Sequence, residues 1–165
     1  MQRDLEKEFV SLLKEHQRLV HKICRIYTND SQSHEDLFQE IAIQVWKSFA
    51  NFRGEAKFST WMYRIALNTA LSLMKKKQRT ILTSSEIDVN ILKINSETYK
   101  DEEEEKLKKM YAAIHQLSDI EKALVMMYLD DKSHREIAEI LGITEGNARV
   151  KLNRAKNHLK SLIKN

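Results

Sequence analysis

An all-α chain of two small helical domains is the fold that the sequence predicts, and three observations carry that expectation. The 165 residues contain no proline and only three glycines, Gly54, Gly142 and Gly146, so strands and tight turns lack their usual punctuation. Apolar residues recur at spacings of three and four over long runs, the period of a helix packed along one side. Charge falls into three blocks, with 15 basic against 11 acidic side chains in residues 1–94, 1 against 6 in 95–105 and 12 against 7 in 106–165. Two basic blocks flanking an acidic one predict domains over 1–80 and 106–165 joined by a linker over 81–105. A chain of this length can build such cores without disulfides or metal.

The first block reads as three helices. From Leu5, the residues Phe9, Leu12, Leu13, Leu19, Val20, Ile23 and Ile26 give about six turns, ending at the turn-favouring cluster Thr28-Asn29-Asp30-Ser31. Ser33 as N-cap with Asp36 three residues on resembles a capping box and opens a second helix, whose stripe is Leu37, Phe38, Ile41, Ala42, Val45 and Trp46. The break comes at residues 50–55, around Gly54. Ser59 or Thr60 then caps a third helix that runs through Trp61, Ile65, Ala66, Ala70 and Leu73 into the basic run Lys75, Lys76, Lys77 and Arg79.

Residues 80–105 lose this period, and the like-charged block Asp101–Glu105 resists burial. At its end Glu102 and Glu105 can pair forward with Lys106 and Lys109. The second block restarts with Leu107, Met110, Tyr111, Ile114 and Leu117. Ser118 with Glu121 forms a capping box for a helix carrying Ala123, Leu124, Met127 and Tyr128.

Residues 133–160 have the punctuation of a helix-turn-helix. A short helix ends at Gly142, Ile143 plugs inward, and Thr144 starts a second helix whose buried stripe is Ala148, Leu152, Ala155 and Leu159. Winding that helix at about 100° per residue places Arg149, Val150, Asn153 and Lys156 on the outer faces, with Lys151 and Arg154 on the flanks. Arg can fork onto guanine and Asn onto adenine, while flanking cations neutralise phosphate. An ordinary helical hairpin with a solvated basic face accounts for the same pattern.

Two further groupings suit recognition. Asp36, Gln39 and Glu40 stand at i, i+3 and i+4, an acid and amide patch opposite the buried stripe; a capping acid on a solvated face explains it equally well. Six of the twelve aromatics, Trp46, Phe49, Phe52, Phe58, Trp61 and Tyr63, fall within eighteen residues beside Arg53, Lys57 and Arg64. Aromatics among cations suit single-stranded DNA, whose bases need stacking surfaces. At helical spacing Trp46, Phe49 and Trp61 are read as core, which leaves residues 51–58 as the pocket for an extruded base.

Several classes are excluded. No P-loop, nucleophile elbow, HExxH or Cys/His metal set is present, so neither an enzyme nor a bound cofactor is expected. The histidines are scattered, and only His16 and His21 lie near each other in sequence. The lone Cys24 sits in an apolar run and reads as a small buried hydrophobe. No stretch of about 18 apolar residues and no signal peptide appear, which predicts a cytoplasmic protein without membrane insertion.

Taken together, the chain resembles a bacterial RNA polymerase sigma factor of the extracytoplasmic-function type. The residues that carry the resemblance are Glu35-Asp36-Leu37-Phe38-Gln39-Glu40 with Val45-Trp46, then Phe52-Arg53-Gly54, Phe58-Ser59-Thr60-Trp61-Met62-Tyr63-Arg64-Ile65-Ala66 and Asn68, then Leu117-Ser118 and the helix-turn-helix. It covers about residues 5–80 and 106–163. The resemblance implies a region 2-like domain over 1–80 and a region 4-like domain over 106–165. It implies that Asp36, Gln39 and Glu40 dock on the clamp helices of the largest subunit of core RNA polymerase, with the flap of the second-largest subunit as a further partner. It implies that Asn51, Phe52, Arg53, Lys57, Phe58, Ser59, Thr60, Arg64 and Asn68 open and read the minus-10 element of promoter DNA, with Lys75, Lys76, Lys77 and Arg79 on nearby phosphate. Thr144, Asn147, Arg149, Val150, Lys151, Asn153, Arg154, Lys156 and Lys160 would then serve the minus-35 element. An anti-sigma factor is a partner common in the family. Asn147 and Ala148 stand where the family pattern has a hydroxyl residue and Val, so promoter preference does not carry over. The competing reading is a helix-turn-helix regulator of duplex DNA that is not a polymerase subunit; it leaves the first block's patch and aromatics unexplained.

Overall fold

The computed structural model describes residues 1–83 and 102–164, with seven helices and no strand among them. They are α1 (Gln2–Tyr27), α2 (Ser31–Phe49), α3 (Phe58–Thr83), α4 (Glu102–His115), α5 (Asp119–Leu129), α6 (His134–Leu141) and α7 (Glu145–Lys164). Most of the linker expected over 81–105 falls on residues 84–101, outside the described residues. Its acidic end is helical: Glu102 to Glu105 form the first turn of α4, and Glu105 pairs with Lys109 at 3.9 Å. The chain forms two compact units, Met1–Leu73 and Met74–Asn165.

In the first unit α1 packs along α2. Phe9, Val20, Ile23 and Cys24 of α1, Leu37, Ile41, Val45 and Phe49 of α2, and Met62, Tyr63, Ala66, Leu67 and Ala70 of α3 are buried. Each large aliphatic among them contributes about 1.5–3 kcal/mol by leaving water. Ala66 and Ala70 are fully buried one turn apart, so a larger side chain at either overpacks the core at a cost of about 1–3 kcal/mol. Burial pushes the Cys24 thiol up to about 11, which keeps it the unreactive hydrophobe that its apolar run suggests. Leu5, taken as the start of the first stripe, is more than a third exposed; the packed face of α1 begins a turn later, at Phe9.

Two helix starts differ from the sequence reading. The N-cap of α2 is Asp30 rather than Ser33: its carboxylate accepts the Ser33 backbone N–H at 2.8 Å and the Ser33 hydroxyl at 2.9 Å. A carboxylate is the stronger acceptor and its charge suits the positive end of the helix. Asp36, assigned the third position of a box, instead accepts from Gln32 at 3.0 Å. Helix α3 begins at Phe58, where the Lys57 carbonyl accepts the Trp61 N–H at 3.0 Å. Ser59 and Thr60 therefore lie inside the first turn and cap nothing. At the end of α1, Thr28 takes an extended backbone, and its N–H and hydroxyl both donate to the Cys24 carbonyl, at 2.9 and 2.5 Å.

In the second unit α7 is the central element, packed by α4, α5 and α6. The core holds Ile114, Leu117, Leu124, Met127, Ile137 and Leu152, with Ala148 and Ala155 fully buried. Leu107 and Tyr128, expected in the apolar stripes, are exposed. Leu107 precedes the buried part of α4, which starts at Ala113, and the Tyr128 ring carries the Lys156 ammonium 4.4 Å from its centroid. The Ser118 and Glu121 capping box is complete, and a second one, Ser133 with Glu136, opens α6. Gly142 ends α6 with φ +68, and a Cβ there would meet nothing within 4 Å. Backbone conformation, not space, requires the glycine.

Candidate nucleic-acid interface

The first candidate surface is the outer side of α2. Leu37 and Ile41 turn into the core while Asp36 and Gln39 are exposed and Glu40 is half-buried, its carboxylate accepting from Gln44 at 3.0 Å. The three groups share one face because they stand at i, i+3 and i+4 of a regular helix. Sequence reasoning missed Ile43, 46% exposed one turn beyond Gln39. It falls off the buried stripe's spacing, and that spacing was its only signal.

The second surface is the loop between α2 and α3. Helix α2 ends with tight bonds from Asn51 N–H to Ser48 and from Phe52 N–H to Phe49, both 3.0 Å. Gly54 then reverses the chain at φ +73. Phe52 of the loop and Phe58 at the start of α3 are half-buried against Trp61, with centroids 4.8 Å and 5.6 Å from its ring and 5.6 Å from each other. The cluster continues through Phe49 to Phe9 on α1 and Trp46 on α2, and His16 lies 5.4 Å from Phe58. Phe9 and His16 stand too far off in sequence to be linked with the loop beforehand. Trp46 and Trp61 are half-buried and Phe49 buried, so the rings form a wall that is core on one side and open on the other. Around it Asn51, Arg53, Lys57, Arg64 and Asn68 are exposed, and Ser59 and Thr60 are half-buried. Cations beside partly open ring faces can hold a phosphate and stack a base. Lys75, Lys76, Lys77 and Arg79 are exposed farther along α3.

The third surface is the helix-turn-helix. Ile143 donates to the Ala138 carbonyl at 3.1 Å, closing the α6 end, and is half-buried in the turn. The Thr144 hydroxyl accepts the Asn147 N–H at 3.1 Å, so Thr144 caps α7. With Ala148, Leu152 and Ala155 buried, Asn147, Arg149, Val150, Asn153, Arg154 and Lys160 are exposed and Lys151 is half-buried. Val150, 49% exposed between Arg149 and Asn153, offers an apolar contact of the kind a thymine methyl takes. Lys156 departs from its expected place on the outer face: it is half-buried against Tyr128. Arg149 lies 3.9 Å from Glu145, an exposed i, i+4 pair.

Two family models match the chain in this order, Sigma-70 region 2 over residues 12–80 and Sigma-70, region 4 over residues 107–159. The chain belongs to the sigma-70 family. Its relatives place it with the extracytoplasmic-function (ECF) sigma factors, and it is a promoter-directing factor of that kind. It is 29% identical over 168 residues to the ECF RNA polymerase sigma-E factor of Haemophilus influenzae, covering 96% of this chain and 88% of that protein. To the RNA polymerase sigma-H factor of Pseudomonas aeruginosa it is 27% identical over 166 residues, covering 94% and 86%. Among solved structures it is similar to the sigma factor RpoE of Bartonella quintana in complex with the anti-sigma factor NepR, with TM-score 0.77, 22% identity and coverage of 96% of this chain and 98% of that one. CnrH in complex with the cytosolic domain of CnrY has TM-score 0.68, 17% identity and coverage of 96% and 89%. These two likenesses establish the two-bundle helical fold of this sigma factor. Among its described residues no helix is long and apolar enough to cross a membrane, and no group of three or more metal-ligating side chains occurs.

Proposed function

We propose that this sigma factor docks on the clamp helices of the largest subunit of core RNA polymerase through Asp36, Gln39 and Glu40, and meets the flap of the second-largest subunit with its second unit. Its domains run over 1–80 and 106–165, with an acidic linker over 81–105 between them. The loop 51–58, with Ser59, Thr60, Arg64 and Asn68, opens the minus-10 element and takes an unstacked base against Phe52, Phe58 and Trp61, while Lys75, Lys76, Lys77 and Arg79 hold phosphate. Helix α7 enters the major groove of the minus-35 element, with Arg149, Val150 and Asn153 toward base edges and Asn147, Lys151, Arg154 and Lys160 toward the backbone; the Thr144 hydroxyl caps the helix beside a phosphate. The factor performs no catalytic step of its own, works in the cytoplasm beside the polymerase, and is held in check by an anti-sigma partner.

The observation that carries this reading is the pairing, in one chain and in family order, of an exposed acid and amide face and an aromatic wall with a helix-turn-helix whose outer face is exposed. A duplex-binding regulator needs only the last of these. Run-off transcription with core polymerase on genomic DNA tests it. Starts that appear only when the factor is added, and share two spaced elements, are the expected result; retention of duplex binding without association to core enzyme would return the protein to the regulator class.

A further inference from the structure

Helix α1 has a second face that none of the surfaces above uses. Arg3, Lys7, Lys14, Arg18, Lys22 and Arg25 are all exposed, and at 3.6 residues per turn they fall within an arc of about 100° centred opposite the buried Phe9, Val20, Ile23 and Tyr27. At 1.5 Å per residue the row extends about 33 Å. Ser11, also exposed, fills the gap between Lys7 and Lys14. The acids of α1 are exposed as well but keep to the edges of this arc: Glu15 and Asp4 border one edge and Glu6 lies beyond the other, Glu8 is a quarter turn from the centre, and Asp4 sits by the N-terminal amine at 3.8 Å. Among the described residues Lys7, Lys14 and Arg18 are in no ion pair. Like charges in a row repel one another, a cost that a polyanion laid along the row relieves.

We infer that this ridge of α1 is a sequence-independent docking surface for the phosphate backbone of duplex DNA. Three features favour that occupant. A duplex presents a negative charge for about every 1.7 Å of its axis, so a straight row of cations of this length meets phosphate wherever it is laid along it. The ridge carries no aromatic ring, and single strands are held by stacking as well as charge; the rings of this unit lie on the packed side of α1 or beyond it. Protein interfaces have apolar centres depleted in lysine, whereas Val10 is the one large exposed apolar side chain beside this row of three lysines and three arginines. DNA-binding surfaces are distinguished by their high positive charge. The inference adds to the promoter-directing role a contact that gives grip on flanking duplex without reading it.

The full-length chain tests this with Lys7→Gln, Lys14→Gln and Arg18→Gln combined, Gln being a good helix former, and circular dichroism reports that the helices are kept. Anisotropy on several unrelated duplexes of about 30 base pairs, over a range of salt, should show the triple variant binding all of them more weakly by a similar factor. The slope of log affinity against log salt should become shallower by about 2 to 3, because each phosphate that a cation neutralises accounts for roughly 0.9 of it. An unchanged slope with the helices intact overturns the proposal. So does a loss as large on a single-stranded oligonucleotide or on polyglutamate as on duplex, which would make the ridge a general anion or protein surface. Run-off start sites are read in parallel: the triple variant should keep the same starts at low salt. Wild-type protein with no promoter-dependent starts would sink the functional reading while leaving the ridge to be judged by its slope.

Discussion

The Nδ1 atom of His158 on α7 lies 3.0 and 3.1 Å from the two carboxylate oxygens of Glu121 on α5. The same carboxylate accepts the Ser118 backbone N–H at 2.9 Å, closing the capping box of α5. One side chain thus finishes one helix and ties it to another. The tie fixes α5 against the second helix of the helix-turn-helix, 37 residues away in sequence.

Glu121→Ala removes both the cap and the cross-helix bond. It should destabilise the second unit by about 1–2 kcal/mol, since a lost cap alone costs about 1. His158→Ala should cost less, about 0–1 kcal/mol, because the imidazole is 45% exposed and water screens the pair. Hydrogen exchange at the first-turn amides of α5, with urea midpoints of the full chain, measures both; equal effects would show that the cap contributes nothing.

Acid should act through the same carboxylate. Burial opposes ionisation of Glu121, but hydrogen bonds from the Ser118 backbone, His158 and the Ser118 side chain outweigh it and hold the carboxyl below its usual range. A carboxyl with a lowered folded pKa stabilises the fold above its unfolded value, near 4.5, and that contribution is lost as pH falls through the folded value. The stability of α5 should therefore fall with acid below about pH 4.5, and Glu121→Gln should flatten this part of the pH profile. A variant with the wild-type acid limb would locate the acid sensitivity elsewhere.

A second pH effect is expected in the first unit. The Nδ1 of His21 on α1 lies 2.9 Å from the Nε2 of His34 on α2, and the His21 ring also stacks on Phe38 at 4.7 Å. Burial, then the His21 ring, then Arg25 lower the pKa of His34. A lowered histidine favours the neutral form in the fold, so its contribution is present above the ordinary value of 6.5 and lost as pH falls through the folded value. The protection of the α2 first-turn amides, relative to their intrinsic exchange at each pH, should fall from pH 7 toward pH 5, and His34→Gln should remove most of that change.

Asp36→Arg with Gln39→Arg changes two exposed side chains, of which Asp36 accepts a bond from the exposed Gln32. Folding should shift by no more than about 0.5 kcal/mol, while association with core polymerase should be lost. Co-elution at wild-type affinity would remove this face from the docking surface.

Arg149→Ala and Lys160→Ala should behave differently. Arg149, exposed beside Val150 and Asn153, can fork onto a base, and its loss should cost about 1–3 kcal/mol and relax preference at one base pair. Lys160 lies three turns farther along α7, and its loss should weaken all sequences alike and lower the salt slope by about one. Glu145→Ala, which frees Arg149 from its 3.9 Å pair, should tighten binding. A promoter panel at several salt concentrations separates the three, and a uniform loss for Arg149→Ala would move base reading to another part of α7.

Helix existence, order and buried stripes were legible because side chains three and four apart on a helix share a face whatever surrounds them. So Ala148, Leu152 and Ala155, or Leu37, Ile41 and Val45, could be assigned to the core from spacing alone. The exposed patches followed as the complement of those stripes, which is why Asp36, Gln39, Arg149 and Asn153 are exposed where spacing put them. Caps were harder. Asp30 and Ser33 are both good acceptors within one turn, and which one receives the bond is settled by where the chain leaves α1.

Local period, turn chemistry and charge were enough for the helices of the described residues, the two basic blocks, the helix-turn-helix and which polar side chains lie exposed. Only the tertiary structure decided that Phe9 and His16 complete the ring wall around Phe52 and Phe58, that His21 meets His34 rather than His16, that Lys156 lies on Tyr128, and that Glu121 reaches His158. Those contacts join residues far apart in the chain, and their partners are chosen by how helices pack against each other, which no periodicity within one helix encodes.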